Sequence, residues 1–173
     1  MAALKIGIKG TGILEMNEGS EFVLHPFVRI HIIDRTTSKY LKKSDPNRPG
    51  VANKESCNFM QMKDAEGAGK EGESVKTITN VDCNYLLPMS TKMNDLRIEG
   101  VNYCNWDEEF VINESAKKIF DKNTLILFEI LEFNPDLVVM ESDKLNPDKL
   151  LPIAWAYLRP MGRASVHMNR LKL

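Results

Sequence analysis

The stretch LHPFVRIHIID, Leu24 to Asp34, decides how this chain is read. Behind the turn formed by its proline, Val28, Ile30 and Ile32 share one face and Phe27, Arg29 and His31 the other. A period of two is the mark of a short β-strand with one face in a core. His31 is expected to be a cross-strand or surface residue.

The neighbouring stretches read the same way. Upstream, LKIGIKGTGIL (Leu4 to Leu14) alternates loosely, and its glycines predict a bent or bulged strand. Downstream, the turn DRTT leads to a return strand in SKYLKK. In WDEEFVIN, Trp106, Phe110 and Ile112 fall on one face, while TLILFEILEF is apolar on both, as a central strand would be. VKTITNV, YLLP, LLPIAWAYLRP and ASVHMNRLKL add further strand character, and Trp106, Phe110, Phe128, Ile130 and Trp155 are expected to fill the core. Helix is confined to about two turns in NESAKKIFDKN and one more in SDKLNPDKLL. The expectation is an all-β chain, an antiparallel β-sandwich of seven to eight strands.

A length of 173 residues suits one domain spanning residues 1–173, and 43% hydrophobic with 27% charged residues suits a folded, soluble one. The net charge of -1 argues against a dominant field for nucleic acid or membrane. No apolar run approaches the ~20 residues of a membrane span, so no transmembrane segment is expected. MAALKIGIKG is too short an apolar stretch for a secretory signal. Cys57, Cys83 and Cys104 are far apart and odd in number, which fits a reducing, cytoplasmic compartment better than a disulfide framework. The NES sequon at Asn113 is then expected to be idle.

The composition shifts between Ser44 and Ser74, where turn formers and charges dominate. That segment reads as a long polar loop insertion, because it offers little apolar surface to offset its ordering entropy. Deleting Asn47 to Gly72 is expected to leave the sandwich folded. Within the segment, Phe59, Met60 and Met62 form an apolar island, expected either to tuck onto the domain or to bind a partner with Phe59 as anchor.

Catalytic motifs fail on inspection. GAGKEGES lacks the first glycine of a phosphate-binding loop, with Asp64 in its place, and Glu71 replaces the hydroxyl after Lys70. His25, His31 and His167 have no metal-ligand spacing, and no serine sits in a nucleophile elbow. Asp107 and Glu108 are adjacent on a strand and would point to opposite faces, which suits no shared acid–base task. Nothing local lowers the pKa of the Cys104 thiol. No catalytic residue, cofactor or metal is expected. Arg35, Lys39, Lys42 and Lys43 form a basic strand, read either as a lysine-protected edge or as a face for anionic membrane lipid or an acidic partner.

In order and spacing, HPFVRIHI, WDEEFVIN, LILFEILEFN and IAWAYLRPMG resemble the conserved strands of C2 domains from about Leu24 to Leu173. A closer resemblance is to the C2-like region that precedes the WD-repeat propeller in a family of ciliary scaffold proteins. It rests on HPFVRIHIID, KYLKK, YLLPM, W-x-E-x-F-V-I-N-E, ILFEILEF and IAWAYL. That resemblance implies a C2-type sandwich at the basal body and transition zone, working through protein partners in a ciliary complex. It also implies either a fragment or a distant relative, since this sequence carries no propeller or SH3 domain.

C2 domains that bind calcium gather about five carboxylate groups from facing loops, because the ion takes 6–8 oxygen ligands. Here the first-loop aspartate position is His25, and the later positions are Glu132 and Asn134 with Asp136 beyond; Glu18 and Glu21 fit no expected place. The expectation is a non-enzymatic, calcium-independent protein-interaction module, with binding of anionic phospholipid through the basic strand as the alternative.

Overall fold

The alternation in Leu24–Asp34 does become a strand, and it becomes the centre of the larger sheet. The computed structural model describes residues 4–14, 23–53, 84–96, 103–133 and 150–161. Its strands are β1 (Leu4–Ile13), β2 (Pro26–Asp34), β3 (Lys39–Tyr40), β4 (Met89–Ser90), β5 (Tyr103–Ile112), β6 (Thr124–Phe133) and β7 (Leu150–Leu158). One helical turn, α1 (Ala116–Ile119), joins β5 to β6.

All pairings among the described residues are antiparallel. Among the described residues β1 and β5 form a two-stranded sheet; β3, β2, β6 and β7 form the other in that order, with β4 also on β2. The parity of β2 explains the layering. Val28, Ile30 and Ile32 pair with Ile130, Phe128 and Ile126, and these meet Ile6, Cys104, Trp106, Phe110 and Ile112 from the smaller sheet in one core. The chain is therefore an all-β antiparallel sandwich, with seven strands among the described residues.

The glycine-rich β1 is bulged as expected, with register shifts between Ile8 and Gly10 and between Gly10 and Ile13. The first shift lies opposite Asp107, a non-glycine residue at φ 41°. At the second, Gly10 lies so close to β5 that an added Cβ would come within 2.3 Å of the Cys104 carbonyl oxygen.

Four expectations need correction. Trp155 is not a core residue; it is 69% exposed. In β7 it is Ala154 and Ala156 that pair with the core-facing Ile130 and Phe128, and Trp155 therefore points outward. Lys43 is buried rather than displayed on a basic strand, because its ammonium donates to the carbonyls of Pro46 (2.7 Å) and Arg48 (2.9 Å). The helix expected over two turns spans Ala116–Ile119 alone: Ser115 makes no side-chain cap, and a turn at Asp121 leads into β6.

The boundary expected at Ser44 also moves. Val51 is in the core, Ala52 N–H donates to Val111 O (2.9 Å), and the Asn53 side chain bonds both Glu109 O and Val111 N. Residues 50–53 thus line β5 opposite β1, and a deletion beginning at Asn47 would remove part of the core. Phe59, Met60, Met62 and the stretches VKTITNV and ASVHMNRLKL lie outside the described residues, as does most of SDKLNPDKLL.

Candidate functional site

Two clusters of polar side chains stand out, one at a loop end of the sandwich and one on the outer face of the larger sheet. At the loop end, β6 delivers Glu132 to the turn before β2. Its Oε1 accepts the backbone N–H groups of Leu24 (3.1 Å) and His25 (2.8 Å). The His25 ring lies between two carboxylates, 3.6 Å from Asp95 and 3.7 Å from Glu132. Burial raises the pKa of Glu132 against the opposing pull of those amides and of His25.

The carboxylate at this expected ligand position is thus committed to holding residues 24–25 on the end of β6. Among the described residues no group of three or more His, Cys, Asp or Glu side chains could hold a metal ion. Asn134, Asp136, Glu18 and Glu21 lie outside the described residues.

A substitution pair separates the two roles of Glu132. Glu132→Ala strips two backbone donors of their acceptor and is expected to cost about 2–3 kcal/mol in denaturant unfolding. Glu132→Gln keeps an acceptor oxygen and removes a charge whose folded pKa is raised. A raised pKa contributes stability below the unfolded value that is lost as pH rises, so the Gln variant should gain on wild type above about pH 4–5.

On the outer face, the odd-numbered residues of β2 meet those of β6. Arg29 lies opposite Glu129, and Ile33 opposite Tyr40 of β3. His31 Nε2 is 2.7 Å from Glu129 Oε2, and its Nδ1 is 3.2 Å from the Tyr40 hydroxyl. The His31 and Tyr40 rings stack, with centroids 5.9 Å apart. Arg29 Nε is 3.5 Å from Glu129 Oε2 and makes no hydrogen bond among the described residues. Burial lowers the pKa of Arg29 and raises that of Tyr40. It also lowers that of His31, more than the Glu129 carboxylate raises it.

An imidazole depressed in the folded state binds its proton less readily there than in the unfolded chain. Its contribution to stability is complete above about pH 6.5 and is lost as pH falls through the folded value. Thermal melts of His31→Gln against wild type should show wild type losing more stability between about pH 7 and 5; parallel losses would refute this reading.

The same face ends in aromatic rings. Trp155 lies across from Glu129 and Tyr157 across from Leu127, both on β7. Their rings stack at 6.4 Å with 19° between planes, and Trp155 and Tyr157 are 69% and 52% exposed. Leu151, on the same strand, is also exposed. Beyond the far edge of this sheet, Arg35, Lys39 and Lys42 are exposed around the β2–β3 turn, without the buried Lys43.

A separate cavity of about 460 Å³ lies between that turn and α1, lined by Asp34, Thr36, Lys117, Lys118 and Asp121 among others. Its carboxylates serve the turns themselves: Asp34 accepts from Thr36 and Asp121 from Asn123. Hydrogen bonds from Thr36 lower the pKa of Asp34, so that acid is not poised to give up a proton near neutrality.

No family model matches the sequence. A rat protein is 30% identical over 151 residues, and its mouse counterpart 29% over the same length; both are jouberin. The chain resembles a segment of jouberin. The match covers 83% of this chain and 12% of each relative, so the chain spans a small part of the length of either. The scaffold family resembled on its motifs in the sequence is that of jouberin.

The Arg29–His31–Tyr40–Glu129 cluster of this jouberin-like chain escaped the sequence reading because its parts are up to a hundred residues apart. One signal was present. Arg29 and Glu129 are charged residues in the middle of two largely apolar strands, and each has the parity opposite to the core. Among the described residues no helix is long and apolar enough to cross a membrane.

Proposed function

We propose that the chain is a non-enzymatic, calcium-independent, C2-like protein-interaction module of a jouberin-like scaffold at the cilium and basal body. The observation that carries this reading is the outer face of the larger sheet. Its buried charges are compensated within the Arg29–Glu129–His31 cluster, while a stacked Trp155 and Tyr157 stand exposed beside it. Large aromatic anchors next to a water-excluding surround are the usual centres of protein–protein binding energy. Likeness to jouberin supports the scaffold setting.

The alternative is binding of anionic phospholipid, favoured by exposed Arg35, Lys39 and Lys42 at the β2–β3 turn. The burial of Lys43 leaves that patch one cation short of the sequence expectation. Such a patch would give salt-sensitive membrane attachment of about 1 kcal/mol per cation.

Two measurements test the readings together: affinity capture from ciliated cells with the whole chain as bait, and flotation with phosphoinositide vesicles. Trp155→Ala with Tyr157→Ala should weaken partner capture by about thirtyfold, as for a hot spot worth ~2 kcal/mol. Arg35→Glu, Lys39→Glu and Lys42→Glu together should leave capture unchanged. Salt-sensitive flotation abolished by those three charge reversals, with capture indifferent to the aromatics, would favour lipid instead.

A further inference from the structure

The β2–β3 turn carries three hydroxyl residues in a row, Thr36, Thr37 and Ser38, all exposed and flanked by Arg35 and Lys39. They are not equivalent. The Asp34 carboxylate holds the first two: the Thr36 hydroxyl donates to its Oδ1, and bonds from Thr36 and then Thr37 lower its pKa. The Thr37 hydroxyl also accepts the Lys39 N–H (3.4 Å). Ser38 enters none of these bonds. It stands at the end of the turn with φ 55°, a left-handed conformation that residues other than glycine seldom adopt. β3 pairs with β2 through Ile33–Tyr40 and Asp34–Lys39 alone, so opening the turn relieves that strain and sacrifices little of the sheet.

Charge singles out the same hydroxyl. Arg35 is the one arginine in the sequence followed three positions later by serine or threonine, and that residue is Ser38. Protein kinases choose among exposed hydroxyls largely by charges at fixed offsets. A guanidinium three residues before the acceptor suits an enzyme whose cleft places a carboxylate there, since that pair binds through two parallel hydrogen bonds.

We infer that Ser38 is a phosphorylation site for an arginine-directed serine kinase that reads Arg35, and that the phosphate switches off the cationic patch around it. In the transfer, Ser38 Oγ attacks the γ-phosphorus of magnesium-bound ATP. The bond from that phosphorus to its bridging oxygen breaks, ADP leaves, and the hydroxyl proton passes to the kinase's catalytic carboxylate. The new group carries a charge of about −1.5 to −2. The exposed cations of the patch are Arg35, Lys39 and Lys42, so one phosphate cancels roughly half to two-thirds of their charge. The patch then loses most of its pull on an anionic surface. The site stands whatever the patch binds; its effect on binding rests on the anionic-lipid reading.

The whole chain, incubated with magnesium ATP and a calmodulin-dependent kinase of Arg-x-x-Ser preference, should carry phosphate on Ser38 by tandem mass spectrometry. Arg35→Ala should slow incorporation by about tenfold or more, and Ser38→Gly should abolish it. Glycine suits φ 55° and lacks the acceptor, so that variant should melt with wild type and report an intact turn. Phosphate on Thr36 or Thr37 in place of Ser38, no incorporation into the intact chain, or a rate indifferent to Arg35 would overturn the site.

Flotation with phosphatidylserine vesicles at low salt should weaken by about tenfold or more once Ser38 is phosphorylated. Protein capture through Trp155 and Tyr157 should not change, because β7 and β3 stand at opposite ends of the strand order. Vesicle binding indifferent to the phosphate would overturn the switch. A chain that takes phosphate at Ser38 yet binds no vesicle in either state would sink the switch and the anionic-lipid reading together, and leave the site standing.

Discussion

Replacing Phe110 with alanine is expected to remove about 3–5 kcal/mol of stability, the cost of emptying a large buried site. Phe110 is 1% exposed, and it packs in the core with Ile30 and Phe128 of the opposite sheet. In a chain of this size the loss should lower Tm by roughly 10–15 °C. Trp155→Ala removes a larger side chain and is expected to cost less than about 1 kcal/mol, because Trp155 is already in water. Parallel thermal melts of the two variants decide whether β7 turns its aromatics inward or outward; a larger loss at Trp155 would contradict the assignment of faces.

Gly10→Val is the second large effect, expected at about 3 kcal/mol although the residue is itself exposed. The new Cβ would lie 2.3 Å from the Cys104 carbonyl oxygen, a backbone atom that cannot swing aside as a side-chain tip would. β1 would have to lift from β5 at the second bulge, loosening Cys104 and Trp106 in the core beneath. Gly7 and Gly12 are the controls, with nothing within 4 Å of an added Cβ. Alanine at either should be neutral or stabilising by about 0.5–1 kcal/mol, through the unfolded chain's lost freedom. Urea unfolding of the three variants measures this directly, and equal losses at all three would show that the close approach is not the cause.

These contrasts show which features were legible in the residue order. The period of two in FVRIHII places Val28, Ile30 and Ile32 on a common face, and the same pattern in WDEEFVIN places Trp106, Phe110 and Ile112 on another. Local backbone geometry sets that alternation whatever the strand packs against. The bulged β1 could be read from its glycines. His25 in place of a carboxylate was visible as a single letter.

Other features depend on contacts that sequence spacing does not report. IAWAYL alternates as a buried strand does, yet alternation says only that two faces differ, not which faces the core. The pairing of Ala154 with Ile130 and Ala156 with Phe128 set the parity of the strand and left Trp155 and Tyr157 in solvent, with Ala154 itself still exposed where β7 begins to leave the core. Lys43 looked like its basic neighbours until two carbonyls, three and five residues away, closed on its ammonium. Val51 sits in a polar stretch and is buried only because the free side of β5 offers backbone groups to residues 50–53. Periodicity comes from the chain's own geometry and so survives in one dimension. Choice of face, charge pairing and edge exposure are energies of particular neighbours, and only the folded sheet brings those neighbours together.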